Sequence, residues 1–203
     1  MGLVSRSRAA RLPGFMIGKR IALLAGAGAC ALALGACGSS SDPHYADNLG
    51  PGYVEVGKLY YQVQISRELN PFSDEDSAYL EGLSPKQAAL PPGQEWFGVF
   101  IQAYNNTQAT QTPASDYYIT DVVGDRFTPI VNPDPNAFSY LPTPIPPGGQ
   151  LPSITSLAYS GWTQGEVLLF KFPYTAELNS RPLILHIVNP SDPSQQSQIE
   201  LDV

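Results

Sequence analysis

Short apolar runs with a period of two residues most limit how this chain can fold. In the clearest run every second residue is apolar, at Leu59, Tyr61, Val63 and Ile65. Such alternation is typical of a β-strand that buries one face, because successive side chains point to opposite sides of a strand. Proline and glycine, 20 and 18 of the 203 residues, separate these runs, and no long amphipathic helix pattern lies among them. The sequence therefore predicts an all-β fold.

Further β-rich runs recur along the chain. Residues 96–104 are apolar on both faces, which is typical of a central strand that is covered on both sides. Other runs occupy residues 167–172, 183–188 and 199–203, and a weaker run covers residues 154–159. Strands at this spacing, with turn residues between them, predict a β-sandwich domain over residues 53–203.

A hairpin is predicted in the middle of the chain. Residues 117–123 form one β-rich run and residues 126–131 form the next, with Gly124 and Asp125 between them. Glycine at the first central position of a two-residue loop suits a type II′ turn, because that position needs a positive φ. We therefore expect Gly124 and Asp125 to be the central residues of the turn.

Two segments break the strand pattern. Residues 70–93 are rich in acidic, serine and proline residues, and we expect one or two short helices there, with Ser73 or Ser84 as N-cap. Residues 129–152 contain eight prolines, which provide no donor for a β-ladder and so exclude a central strand. This second segment is predicted to be an extended connection that crosses between the sheets.

The N-terminal segment has the pattern of an export signal. Five basic residues and no acidic residue precede Asp42, and a 16-residue apolar run extends from Ile21 to Ala36. This run is shorter than the ~20 residues that span a bilayer as a helix, so residues 1–36 are predicted to be a signal peptide. Both Met1 and Met16 are candidate start residues, because Met16 opens a compact leader of its own.

The end of the apolar run carries a second motif. Leu34 is followed by two small residues and Cys37, and this order resembles the lipobox of bacterial lipoproteins. The resemblance implies cleavage before Cys37, lipid and palmitate-type acylation at that residue, and anchoring on the extracytoplasmic face of the cell membrane. Residues 37–52 are predicted to be a flexible tether, because they are small, polar and turn-forming. The alternative is a plain secreted protein that is cut near the same place.

The charge balance limits the class of partner. The chain has 11 basic and 18 acidic residues and a formal charge of −7. Removal of the leader takes away five basic residues and no acid, which leaves a charge of −12 from 6 basic and 18 acidic residues. Nucleic acid is excluded as a partner by this balance, because Lys and Arg at the phosphates provide its affinity. Anionic lipid headgroups are expected to repel the folded domain.

A longer series of motifs follows in the second half of the chain. Its members are Ala103–Asn106, Tyr117–Asp121, Gly124, Phe127–Pro129, Pro146–Gly148 and Gly165–Pro173. The series resembles immunoglobulin-like domains of unknown function on bacterial secreted proteins and lipoproteins, which are similar to mycobacterial secreted immunogenic antigens. The resemblance covers residues 53–190. It implies an immunoglobulin-like β-sandwich outside the cell and no assigned activity.

Calcium is the one metal for which the sequence offers ligands. Asp74, Asp76 and Glu81 concentrate the carboxylate oxygens that Ca²⁺ prefers. The alternative is that these residues are solvated acids on a loop and at a helix start. Zinc and blue-copper sites need clustered His and Cys ligands, whereas only His44 and His186 follow Cys37. No cofactor is predicted.

No catalytic residue is predicted, and the chain is expected not to be an enzyme. A Gly-x-Ser-x-Gly nucleophile elbow is absent from the sequence. His186 stands between Leu185 and Ile187 in a β-rich run, so its side chain is expected on the opposite face of that strand. We interpret it as a hydrogen-bonded structural residue.

Aromatic residues are the remaining candidates for binding. Trp96, Tyr117 and Trp162, with Tyr60 and Tyr104, are interpreted as a candidate platform for a glycan or a partner protein, since Tyr and Trp are enriched at interfaces. The alternative is that they fill the sandwich or cap its ends.

The leading functional hypothesis is a lipid-anchored, non-catalytic binding or interaction module with an envelope-protein or cell-wall partner. One alternative is an extracytoplasmic lipoprotein whose segments 70–93 and 129–152 hold a small molecule, a sugar or calcium. Another is an accessory domain of a cell-wall enzyme. Fold class alone does not choose among these.

Overall fold

A computed structural model describes residues 52–202 of the chain. The predicted signal peptide, residues 1–36, lies outside the described residues, as do Cys37 and the rest of the tether up to residue 51. None of the helices within residues 52–202 is long and apolar enough to cross a membrane.

Five strands form the first sheet: β1 (Tyr53–Val56), β2 (Leu59–Leu69), β3 (Gln94–Tyr104), β6 (Gln150–Leu151) and β7 (Glu166–Pro173). β1, β2 and β3 are antiparallel neighbours. The other edge of β3 pairs with β7 along residues 94–101 and with β6 at residues 103–104. The predicted central strand is therefore confirmed, because β3 has partners on both edges.

Four strands form the second sheet: β4 (Asp116–Thr120), β5 (Arg126–Phe127), β8 (Ile184–Val188) and β9 (Gln196–Glu200). Their order is β5-β4-β8-β9, and every neighbouring pair is antiparallel. The predicted all-β sandwich is confirmed.

The main core lies between the two sheets. Side chains that alternate along β3 contribute Phe97, Val99 and Ile101, and the second sheet contributes Ile119 and Leu185 to the same buried cluster. The opposite face of β3 carries Trp96 and Phe100, which belong to a second buried cluster with Leu69, Tyr79, Val167 and Leu169. Both faces of β3 are thus covered, which explains why its sequence does not alternate.

Four short helices connect the strands: α1 (Asp74–Tyr79), α2 (Pro85–Ala88), α3 (Leu157–Ser160) and α4 (Tyr174–Asn179). α1 and α2 lie in the segment 70–93, which we call the helical insertion. The Ser73 hydroxyl accepts the N–H of Asp76, and the Ser84 side chain accepts the N–H of Gln87. Both predicted N-caps are confirmed.

The predicted alternation of β2 holds only for its first half. The pairing register with β3 shifts between Val63 and Ile65. After this bulge Ile65 is 42% exposed and Ser66 is buried, which is the reverse of the predicted pattern. A bulge adds one residue to a strand and moves every later side chain to the other face, so a strict period of two fails beyond it.

The hairpin between β4 and β5 exists, but its turn differs from the prediction. The Gly124 N–H donates to the carbonyl of Asp121, so Val122 and Val123 are the central residues and Gly124 follows them with φ of 91°. The Asp121 side chain accepts the N–H groups of Val123 and Asp125. Backbone bonding by this carboxylate favours the longer turn over a two-residue type II′ turn.

The weak strand predicted at residues 154–159 is wrong. The Ser156 hydroxyl accepts the N–H of Tyr159, and helix α3 begins at Leu157. A serine N-cap competes successfully with weak β-propensity in such a short segment.

Candidate ligand cleft under the proline-rich strap

The proline-rich segment forms a strap across the outer edge of the first sheet. We use this name for residues 129–142. The N–H of Ile130 donates to the carbonyl of Leu169 at 2.7 Å, and the N–H of Tyr140 donates to the carbonyl of Val167 at 3.1 Å. The N–H of Val167 in turn donates to the carbonyl of Phe138 at 2.7 Å. The predicted connection from one sheet to the other is confirmed, and it also pairs with β7.

The middle of the strap is bound to the helical insertion. The Asn136 amide donates to the carbonyl oxygens of Ala78, Tyr79 and Glu81, at 3.1, 3.1 and 2.9 Å. The Asn132 amide donates to the same Glu81 carbonyl at 2.7 Å. The two segments that break the strand pattern therefore form one connected structure on the outer face of the first sheet.

Between the strap and β7 lies a cleft of about 270 Å³. Most of its wall is apolar, and it has a polar end that contains two tyrosines. The apolar lining residues are Pro129, Ile130, Val131, Pro135, Leu141, Pro142, Val167, Leu168 and Leu169, and the polar ones are Ser115, Tyr117, Asn132, Ser139 and Tyr140.

The two tyrosines are joined to one another and to the backbone. The Tyr117 hydroxyl donates to the Tyr140 hydroxyl at 2.7 Å, and Tyr140 donates to the carbonyl of Ala114 at 2.7 Å. The Tyr61 hydroxyl accepts the N–H of Ala114 at 2.8 Å. Burial raises the pKa of Tyr117 and Tyr140 well above 10, and it raises the pKa of Tyr61 to about 12. These hydroxyls stay protonated, and those of Tyr117 and Tyr140 give the cleft a neutral polar end.

Glu166 lies at the rim of the cleft. Its Oε2 atom accepts the N–H of Leu141 at 3.2 Å, and both Leu141 and the next residue in the chain, Val167, line the cleft. Burial raises the pKa of Glu166 to about 7, although the hydrogen bond from Leu141 opposes the shift. Glu166 forms no ion pair with any of the side chains that the structure describes.

The predicted calcium ligands do not converge. Both Asp76 carboxylate oxygens contact Arg67, at 2.6 and 3.1 Å, and Oδ2 also accepts the N–H of Asn70. Asp74 is exposed at the start of α1, and Glu81 contributes its backbone carbonyl to the strap. The described residues contain no group of three His, Cys, Asp or Glu side chains that could hold a metal ion.

Asp76 instead anchors the helical insertion to β2. Burial would raise its pKa, but the hydrogen bonds from Arg67 and Asn70 and the Arg67 charge outweigh burial and lower it. The Glu75 Oε1 atom accepts hydrogen bonds from Tyr79 at 2.8 Å and from Thr163 at 3.0 Å. These acids therefore have structural partners rather than open coordination positions.

The predicted aromatic platform is not one surface. Trp96 is 2% exposed and lies in the second core cluster, where Lys171 stands 4.4 Å from its ring centre. Tyr117 is also 2% exposed and belongs to the main core. Trp162 is 79% exposed on the loop after α3. The packing interpretation therefore applies to Trp96 and Tyr117, and only Trp162 of the three faces solvent.

His186 is a structural residue on the outer face of the second sheet. Its Nε2 atom lies 2.9 Å from the Thr120 hydroxyl, and its ring stacks on Tyr118 with 4.2 Å between the centres. Arg126 lies 3.6 Å from the centre of the same Tyr118 ring. Burial and the Arg126 charge lower the pKa of His186, against an opposing hydrogen bond from the imidazole to Gln196.

A second, more open concavity lies on the helical insertion. It has a volume of about 570 Å³ and includes Phe72, Leu80, Leu83 and Leu90. Phe72 is 93% exposed. None of the described residues that line this groove belongs to the strap.

Sequence reasoning missed Glu166, Tyr140 and Leu141 as site residues. Glu166 opens the apolar run of β7, where an acidic residue is an unusual neighbour for buried side chains. The proline density correctly marked residues 129–152 as a connection. It gave no sign that this connection bonds to β7, because that contact joins residues about thirty positions apart in the chain.

Three solved structures are similar to this chain at low identity. An uncharacterized β-sandwich protein from Clostridium difficile matches with 10% identity and a TM-score of 0.41, over 74% of this chain and 89% of that one. The yjhA protein from Bacillus subtilis matches with 7% identity and a TM-score of 0.43, over 74% of this chain and 96% of that one. A conserved hypothetical protein from Bacillus anthracis matches with 10% identity and a TM-score of 0.41, over 73% of this chain and 92% of that one. No protein-family model and no curated protein matches the chain.

Proposed function

We propose that this chain is a lipid-anchored envelope protein whose β-sandwich binds a small, mainly apolar ligand in the cleft under the strap. The observation that carries the proposal is the cleft itself, with nine apolar and five polar lining residues around about 270 Å³. Small-molecule sites are concave and mostly apolar, with a few polar groups that orient the ligand, and occupy ~300–1,000 Å³. The volume of the cleft lies just below this range, so its ligand is small.

The bonding of the strap supports a preformed site. Ile130 and Tyr140 fix its two ends to β7, and the Asn136 amide fixes its middle to three carbonyls of the helical insertion. A wall held at three places needs little ordering when a ligand enters, which lowers the entropic cost of binding.

Among the functional hypotheses from the sequence, the cleft favours the ligand-binding lipoprotein over the protein-interaction module. The two segments expected to hold a ligand, 70–93 and 129–152, are bonded to one another, and the strap in the second of them forms one wall of the cleft. An aromatic platform has less support, because two of its three principal members are buried. The ligand is proposed to be bound without turnover.

Anchoring at Cys37 is part of the proposal and rests on the lipobox resemblance. Two or three acyl chains at this residue would hold the protein stably at a membrane, where a single chain would not. The test is metabolic labelling with an alkyne palmitate analogue. Cys37→Ala is expected to abolish labelling, whereas the matched variant Cys30→Ala keeps it. Labelling that survives in Cys37→Ala would contradict the anchor.

Ligand binding is tested by a thermal-shift panel of small apolar compounds on the purified full chain. A ligand present at a hundred times its dissociation constant stabilises a protein by ~2.7 kcal/mol. For a domain of this size, that corresponds to a rise of roughly 5–10 °C in the unfolding midpoint. A saturable rise for at least one compound supports the proposal, and a flat panel contradicts it.

A further inference from the structure

We propose that the ligand of the cleft is an apolar amine whose ammonium group pairs with the Glu166 carboxylate at the rim. This inference rests on the proposed function, because it names the chemical class of ligand for the same site.

The charge of the cleft wall is the first support. None of its fourteen lining residues is basic or acidic. Glu166 is bound to the cleft wall, because its Oε2 atom accepts the N–H of Leu141, and both Leu141 and Val167 line the cleft. A ligand that enters this cleft therefore meets apolar side chains and neutral hydroxyls, with the Glu166 carboxyl group at the rim. That set favours a cation over an anion.

The surroundings of the Glu166 carboxylate are the second observation that supports an amine ligand. Its Oε2 atom is held by the Leu141 N–H, and no ion pair to it exists within residues 52–202. A half-buried carboxylate without a cation is destabilised by lost hydration, which is why its pKa rises to about 7. An ammonium group brought by a ligand would supply the missing partner and favour the ionised carboxylate.

The groups around Glu166 are compatible with this pairing. Tyr117 from β4 and Tyr140 from the strap are the titratable residues that interact with it, and burial keeps both protonated. Their rings stand 5.2 Å apart at 80° and line the cleft, so they offer aromatic surface near the carboxylate. Aromatic faces attract ammonium groups as well as apolar chains.

The apolar wall determines the rest of the ligand. Residues of the strap and of β7 provide aliphatic and proline surface on opposing sides of the cleft. A volume of about 270 Å³ admits a short alkyl chain or a single aromatic ring beside an amine. A linear six-carbon amine is therefore a suitable probe.

The test compares hexylamine, hexan-1-ol and hexanoate by NMR titration of the full chain with labelled Ile, Leu and Val methyl groups. The methyl groups of Ile130, Val167 and Leu169 report on the cleft, and those of Leu83 and Leu90 report on the open groove. At pH 8 hexylamine is expected to bind at least tenfold more tightly than hexan-1-ol. This preference should fall by about tenfold at pH 6, where Glu166 is largely protonated.

Two variants make the outcome specific. Glu166→Gln keeps the side-chain shape and an acceptor for Leu141, and it is expected to remove the preference for hexylamine while hexan-1-ol binds as before. Glu200→Gln, at an exposed position on β9, should keep the preference. Equal binding of the amine and the alcohol, or an undiminished preference in Glu166→Gln, overturns the amine assignment and leaves the proposed function standing. If none of the three probes shifts the cleft methyl groups, both proposals fail.

Discussion

Gly82 in the helical insertion lies directly against Asp134 of the strap. A Cβ atom placed on Gly82 would come within 1.8 Å of the Asp134 carbonyl oxygen, and Gly82 has φ of 86°. Both the contact and the conformation require glycine at this position. The close approach belongs to the same interface in which Asn132 and Asn136 donate to the Glu81 carbonyl.

Substitution of Gly82 is therefore expected to separate the strap from the helical insertion. Gly82→Ala should lower the free energy of unfolding by about 2–4 kcal/mol, from backbone strain and displaced hydrogen bonds. Chemical denaturation measures the change. Gly124→Ala is the matched control, because Gly124 also has a positive φ but nothing lies within 4 Å of its Cβ position. Gly124→Ala should lower the free energy of unfolding by only about 1 kcal/mol. Equal losses in the two variants would contradict a close contact between Gly82 and the strap.

Asp76 is expected to stabilise the fold through Arg67 and not through calcium. Asp76→Asn should lower the free energy of unfolding by about 2 kcal/mol, because it removes the charge that pairs with a half-buried Arg67. Asp74→Asn, at an exposed position on the same helix, should change stability by less than about 0.5 kcal/mol. Thermal unfolding with Ca²⁺ and with EDTA should give the same midpoint. A calcium-dependent rise that Asp76→Asn abolishes would restore the calcium site.

The lowered pKa of Asp76 also sets a dependence of stability on acid. The group contributes fully above its unfolded pKa of 3.8, and this contribution is lost as pH falls through the lower folded pKa. Wild type and Asp76→Asn should therefore differ most in stability near neutral pH and converge once the pH falls below the folded pKa of Asp76.

Glu166 is expected to destabilise the ligand-free fold at neutral and alkaline pH. Its pKa is raised from 4.5 to about 7, so the folded state holds a proton that the unfolded state has lost between these values. The contribution of Glu166 to the free energy of unfolding therefore falls as the pH rises from 4.5 to about 7. Glu166→Gln should raise the free energy of unfolding at pH 8 by about 2 kcal/mol, a figure reduced for partial exposure, and should change it little at pH 4. If Glu166→Gln instead lowers the free energy of unfolding at pH 8, the interpretation of Glu166 as an unpaired carboxylate is wrong.

His186 is expected to weaken the fold in mild acid. Its pKa is lowered from 6.5, so its contribution to stability is complete above that pH and is lost as pH falls toward the folded pKa. Arg126→Gln should raise the His186 pKa, because it removes a cation near the Tyr118–His186 stack. NMR titration of the imidazole measures the shift. Lys58→Gln, on the β1–β2 turn of the first sheet, is the control and should leave the pKa unchanged.

The sequence predicted the parts of this fold that depend on local pattern. The apolar faces of β3, the serine caps of α1 and α2, and the exclusion of a central strand from residues 129–152 all follow from chemistry within a few residues. The β2 bulge and the β4–β5 turn could not be predicted in the same way. The first depends on pairing with β3, and the second on the Asp121 carboxylate, which bonds to two backbone N–H groups.

The candidate site was the least predictable part, for a physical reason. Its wall forms where the strap meets β7, and the surroundings of Glu166 at its rim come from both. Trp96 is a candidate for binding by its residue type, yet burial in the second core cluster gives it a packing role, whereas Tyr117 packs in the main core and also lines the cleft. Residue type indicates which interactions a side chain can form, whereas long-range contacts determine where in the fold that side chain lies.

The proposed function requires a ligand to occupy the cleft, so a variant that blocks the cleft should abolish binding. Ser115 lines the cleft and Ser77 lines the open groove, and both residues are exposed. Ser115→Trp fills the mouth of the cleft, and Ser77→Trp fills the groove to a similar extent. We would titrate hexylamine into the methyl-labelled full chain and into each variant. We expect saturable shifts at Ile130, Val167 and Leu169 in wild type and in Ser77→Trp, and none in Ser115→Trp. Shifts confined to Leu83 and Leu90, or cleft shifts that persist in Ser115→Trp, would contradict the proposed function.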